Sequence, residues 1–175
     1  MNKKSKSVTL IELLISIAVV SIMILTFYSI DTFSRNQVIN SDRRAKVQNE
    51  LGYVLEHMSK YIQQAGGDIS NPAFVSAGSS FQVHVYFNSL TDSAWITYSL
   101  AGNTLTANCA GSASCPFVAE TLSNRITAFT ATLGDLGSSV GIDIIGLYNP
   151  AEAVSLTNPQ VEMKSKLVCN SYSAN

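Results

Sequence analysis

Glu12 is the residue of this chain whose position most demands a chemical reason. It stands almost alone as a carboxylate inside the apolar run of residues 8–30, and no cation lies within that run. An ionised acid in a hydrocarbon-spanning helix costs up to roughly 3 kcal/mol, less near an interface, so such groups usually have a partner and a task. The cysteines come next. Cys109 and Cys115 bracket Ala-Gly-Ser-Ala-Ser, a flexible loop that can close a small disulfide, which leaves Cys169 over; a bridge from Cys169 to either of the others is the alternative. Three cysteines without a nearby His lack the short ligand pairs of a zinc site. Asp135 and Asp143 flank the loop of residues 136–142, and turn chemistry accounts for both acids. His84 alternates onto the face opposite Phe81, Val83, Val85 and Phe87, and His57 lies beside an apolar helix stripe; both read as exposed surface histidines. No Gly-x-Ser-x-Gly elbow, His-Glu-x-x-His pair, phosphate-binding glycine loop or Cys-His nucleophile arrangement occurs. The expectation is a protein that is not an enzyme and carries no cofactor or metal.

The elements that must position these residues follow from periodicity. At 1.5 Å per residue, a helix over residues 8–30 is long enough to cross the ~30 Å hydrocarbon core. Lys3, Lys4 and Lys6 hold the preceding end in the cytoplasm. A secretory signal has a shorter apolar core and a small-x-small cleavage site, which Tyr28-Ser29-Ile30-Asp31 does not offer. An ordinary signal anchor fits the length and leaves Glu12 unexplained.

Beyond the span, Val47, Leu51, Val54, Leu55, Met58 and Ile62 recur at spacings of three and four. They form one apolar stripe. Gly66-Gly67, Asp68 and Asn71-Pro72 make a stop signal, so a single helix is expected over residues 8–65, with Gly52 and residues 35–44 as the places to bend or fray. The remainder reads as strands: residues 81–87, a hairpin of 95–100 and 104–107 around Ala101-Gly102-Asn103, then 126–133, 140–148 and 161–169. Residues 117–124 read as a short helical or extended lead-in. The fold class is therefore α+β, an antiparallel sheet on the outer half of a long N-terminal helix. Four segments result: a leader at 1–7, a membrane or filament-core helix half at 8–30, an amphipathic outer half at 31–65, and a β-rich domain at 66–175. From Gly66 onward only Arg125, Lys164 and Lys166 oppose seven acids, so this domain has no basic footprint for nucleic acid.

The start of the chain resembles the type IV pilin-like family. A short basic leader precedes Thr9-Leu10-Ile11-Glu12-Leu13, close to the family's Phe-Thr-Leu-Ile-Glu-Leu, and Glu12 is the fifth residue if the chain is cut between Ser7 and Val8. Ser7 stands where the family usually has Gly, and Val8 where it usually has Phe. The resemblance implies the type IV pilin fold, cleavage by prepilin peptidase between Ser7 and Val8, N-methylation at Val8, and pairing of Glu12 with the N-terminal amine of a neighbouring subunit; because related pseudopilins can bind calcium, it also offers a calcium site at Asp135 and Asp143 as the alternative to the simpler turn reading. Residues 58–66, the strand 96–100, and 118–120 leading to 126–129 look like the PilW- and PulJ-type minor pilins and minor pseudopilins. By that likeness the chain starts in the inner membrane, meets other pilin-like subunits through its N-terminal helix, and enters a type IV pilus or type II secretion pseudopilus in the periplasm or at the cell surface. A membrane-tethered or pilus-borne binding module, an adhesin or DNA-uptake subunit, is the alternative.

Overall fold

A computed structural model of the chain describes residues 9–67, 73–87, 92–134 and 139–169. Among the described residues one helix, α1 (Leu10–Gln63), is followed by eight strands: β1 (Phe74–Ala77), β2 (Ser80–Tyr86), β3 (Ser93–Ala101), β4 (Thr104–Ala110), β5 (Ala119–Ser123), β6 (Ile126–Leu133), β7 (Ser139–Leu147) and β8 (Gln160–Val168). The chain divides into two compact units, Met1–Ser41 and Asp42–Asn175, and α1 contributes to both.

Within the first unit every apolar side chain of the helix from Leu10 to Ile30 that is large is exposed. Within the second, the stripe expected from the sequence faces inward. Val47, Leu51, Val54, Met58, Tyr61 and Ile62 are buried and Leu55 is partly buried. The helix continues through Gly52 and through residues 35–44, so neither is a break. It ends at Gln63, two residues before the expected end, and Ala65 then bridges Val85 of β2 while Gly66 N–H donates to the His84 carbonyl at 3.0 Å. The expected stop residues Asp68, Asn71 and Pro72 lie outside the described residues.

The strands form two sheets where the sequence suggested one. Both are antiparallel meanders, β1-β2-β3-β4-β5 and β6-β7-β8. The division falls at Ser123-Asn124-Arg125, where β5 ends and the chain turns away instead of pairing β6 beside it. Backbone bonds from Ile126 N–H to the Asn103 carbonyl and from Leu147 N–H to the Arg125 carbonyl hold that corner. Ser76 Oγ donates to the Ala131 carbonyl at 2.9 Å, a link between the sheets. Strand β1 was not foreseen, and the expected lead-in at 117–124 contains β5. The hairpin β3–β4 turns on Gly102-Asn103 with Gly102 at φ 60°, a conformation that glycine adopts without strain.

Alternation sets the core. Phe81, Val83 and Val85 of β2, Ile96 and Tyr98 of β3, Leu105 and Ala107 of β4, and Ile126, Ile142 and Ile144 of the second sheet join the α1 stripe in one buried cluster. Helix and sheet come close together at Gly146 of β7. A Cβ there would sit 3.0 Å from both Leu51 Cδ2 and Val47 Cγ1.

Candidate functional site

The first turn of α1 places Glu12. Thr9 stands just before the helix; its carbonyl accepts from the Glu12 and Leu13 amides at 3.1 and 3.2 Å. The Glu12 amide also lies 3.4 Å from Thr9 Oγ1, while the Thr9 amide and hydroxyl donate to Glu12 Oε2 at 3.4 and 3.5 Å. This reciprocal Thr-x-x-Glu pattern is a loosely closed capping box, in which each side chain answers an amide left open by the first helical turn. The carboxylate also faces the positive end of the helix dipole. Glu12 thus has an internal partner after all. Thr9 escapes notice when only cations are sought, yet a Thr three residues before a Glu and ahead of an apolar run is a legible signal.

The helix that follows is apolar on every side. Leu13, Leu14 and Ile15 are 57, 59 and 58% exposed, and successive residues point about 100° apart, so no face is reserved for a core of its own. It is long and apolar enough to cross a membrane. Its serine and threonine hydroxyls are tied down: Ser16, Ser21, Thr26 and Ser29 each donate to the carbonyl four residues earlier, at 2.6 to 2.9 Å. Bonded back to the helix, they carry no open donor into hydrocarbon. Ser7 and Val8, the expected cleavage residues, lie outside the described residues.

In the second unit Cys109 and Cys115 form the disulfide that was the first choice from sequence. Cys169 lies outside that bridge, buried, with its thiol donating to the Ala65 carbonyl at 2.6 Å. The bridge holds the segment that carries Phe117, and Phe117 packs on His57 and Tyr61 of α1 with ring centroids 5.4 and 5.8 Å away. Closing so short a loop removes little unfolded-chain entropy, so replacing both cysteines by alanine should cost about 2 kcal/mol, the low end for a disulfide. Urea unfolding of the two forms checks it.

Both histidines correct the surface reading. His84 is 5% exposed, stacked on Trp95 at 4.7 Å and edged by Tyr86 at 4.8 Å, because the aromatic neighbours across and along the strand cover it. The His57 side chain is 10% exposed, since Tyr98 and Phe117 reach it from far along the chain. Its Nδ1 lies 3.2 Å from the Tyr98 hydroxyl and its Nε2 3.7 Å from Glu120, which also accepts from the Tyr53 hydroxyl at 2.9 Å. Burial drives the Tyr98 phenol well above its ordinary value, so it keeps its proton and can donate it to Nδ1. Burial likewise pushes His57 below an ordinary imidazole; Glu120 opposes this and Lys60 reinforces it. The unfolded chain therefore binds a proton that the folded chain refuses. Stability should be full above pH ~6.5, the unfolded value, and fall as pH drops from there through the lowered folded value. Denaturant titrations of a fragment beginning at Arg35 at pH 7.5 and 5 should show that loss, and His57→Gln should flatten it.

Of the calcium pair, Asp135 lies outside the described residues. Asp143 forms an ion pair with Lys164 at 3.2 Å. Among the described residues no group of His, Cys, Asp and Glu is placed to hold a metal.

The family model of the prokaryotic N-terminal methylation motif matches residues 2–28, the segment that contains Thr9, Glu12 and the apolar part of α1. The chain thus carries the N-terminal motif of type IV pilin-like proteins. No curated protein matches the chain. A type IV pilin-like chain joins one long N-terminal helix to antiparallel sheets, and the fold has that architecture. Its motif implies processing by prepilin peptidase, anchoring of the precursor in the inner membrane and assembly with other pilin subunits.

Proposed function

We propose that the chain is a minor pilin or minor pseudopilin, a structural subunit that helps to start or extend a type IV pilus or type II secretion pseudopilus. The observation that carries this reading is the coincidence of the methylation motif at residues 2–28 with a helix whose apolar sides are all exposed. Such a surface suits two environments in turn: the bilayer before assembly, and the helices of other subunits afterwards. The likeness of residues 58–66 and 96–100 to PilW- and PulJ-type subunits supports a minor, priming role. The cations Arg125 and Lys164 are engaged inside the second unit, with Glu50 and with Asp143 and Glu162, which favours a filament-building role over DNA capture. Mass spectrometry of the membrane-extracted protein tests the processing step. The expected mass is that of a chain beginning at Val8 with one added methyl group. An intact leader in cells with active peptidase refutes it, and cleavage beyond Ile30 makes the segment an ordinary signal peptide. The genes beside this one, encoding a secretion channel or a retraction motor, would tell the two filament systems apart.

A further inference from the structure

We infer that the Cys109–Cys115 bridge is a redox latch on the seam between α1 and the first sheet. Closed, it seats Phe117 over His57; reduction by a dithiol frees Phe117 and opens the niche around His57 to water. Residues 111–118 form an irregular strap between β4 and β5. Gly111, at φ 110°, turns the chain out of β4, and the strap closes where the Cys109 amide donates to the Val118 carbonyl at 3.2 Å. Its first half rests on Asp92, whose carboxylate accepts from the Ser112 hydroxyl and, at 2.6 Å, from that of Ser114. Its second half rests on the bridge. One residue separates Cys115 from Phe117, and it is Pro116, whose ring fixes φ. The bond that anchors Cys115 therefore also aims Phe117.

Around the His57 ring stand Tyr61 and Tyr53 of α1, at centroid distances of 5.0 and 6.4 Å, Tyr98 of β3 at 5.8 Å and Phe117 of the strap at 5.4 Å. Tyr53 and Val118, on the borders of this niche, are 48 and 81% exposed, so water waits at its edge. The charges that act on the ring are Glu120 of β5, 3.7 Å from Nε2, and Lys60 of α1. With Phe117 gone, the desolvation that keeps the imidazole neutral fades while Glu120 stays to hold a proton. Reduction and proton uptake are thus coupled through one ring, and the coupling is reciprocal: protonating His57 favours the open latch by the same factor. Opening is local, because Val47, Leu51, Val54, Met58 and Ile62 keep α1 on the core without the strap. The chemistry balances with the dithiol alone. Its thiolate attacks the sulfur of half-buried Cys115, since Cys109 is 5% exposed; the S–S bond breaks and Cys109 leaves as a thiolate that takes up a proton. The second thiol of the reductant then attacks the mixed disulfide, releasing Cys115 as a thiol and leaving the reductant as the disulfide.

The test follows both histidine rings by nuclear magnetic resonance in the full chain, carbon-13-labelled at histidine and held in detergent micelles. His84, which packs on Trp95 and Tyr86 instead of the strap, is the internal control. Dithiothreitol should raise the His57 titration midpoint by about half a pH unit, roughly threefold in proton affinity, and leave that of His84 where it was. Reoxidation should reverse the change. Phe117→Ala with the bridge intact should give a similar rise, and dithiothreitol should then add little, because both act through the same ring. The paired changes Cys109→Ser and Cys115→Ser should match the reduced protein without any reductant. A His57 midpoint that ignores reduction overturns the inference, as does a full further rise on reducing the Phe117→Ala protein. If both histidines move together on reduction, the bridge is a staple of the whole unit and the latch is equally overturned.

Discussion

Leu51→Ala is expected to remove about 4 kcal/mol from the stability of the second unit, towards the upper end for a buried leucine. Leu51 is 1% exposed and meets β7 at Gly146, where the sheet offers no side chain. The cost of such a truncation depends on how far the surroundings collapse into the space, and a glycine has nothing to move into it. The helix backbone cannot follow either, because Val47 and Val54 are themselves fully buried on the same stripe. A fall in melting temperature of roughly 10 °C or more should accompany it. The same contact predicts coupling. Gly146→Ala alone should be destabilising, since its Cβ would crowd the end of Leu51 and the stiffer β-branched Val47 at 3.0 Å. In the Leu51→Ala background it should be neutral or favourable, filling part of the cavity. A double variant whose loss equals the sum of the two single losses would show that helix and strand do not meet there as described.

Glu12→Val is the second large effect, on assembly and not on folding. Valine makes the helix of the first unit more apolar, so insertion should survive or improve. It also opens the capping box, a loss of about 1 kcal/mol at one helix end, which a helix of this length tolerates. If the carboxylate pairs with the amine of a neighbouring subunit, its removal strands that charge in a low-dielectric setting. That cost is several kcal/mol, and recovery of partner subunits should fall on the order of a hundredfold. The capping box makes a sharper comparison available. Glutamine can occupy the last position of such a box, so Glu12→Gln keeps the cap and removes the charge. Partner recovery and filament yield in the native host, at equal leader removal and membrane level, should therefore be lost in both variants. Rescue by glutamine would assign Glu12 to the helix start alone, and normal assembly with valine would return the segment to a simple anchor.

What could be read directly from the chain was whatever neighbours in sequence enforce among themselves. The apolar run, its lone carboxylate and the basic residues ahead of it are a local pattern, and hydrocarbon imposes length and composition on it. The stripe from Val47 to Ile62 was legible because a helical period names a buried face before anything is known of what buries it. The hairpin at Gly102-Asn103 and the closure of Cys109 onto Cys115 were legible for the same reason, each joining residues only a few positions apart.

Tertiary structure decided what covers each face. His57 stands off the stripe by periodicity, yet Tyr98 and Phe117 arrive from 41 and 60 residues away and bury it, and no local pattern announces them. His84 alternates outward from the core and is buried even so, by Trp95 and Tyr86. The split into two sheets turns on a corner at Arg125, held by an ion pair to Glu50 of α1 and by bonds to residues on either side in the fold. Asn158 reads in the sequence as one more loop asparagine; only the folded structure shows it facing inward and Leu156 facing out. Strand period and helix period specify which way a side chain points, whereas its environment is set by long-range packing, whose partners are paired by the fold and not by their spacing.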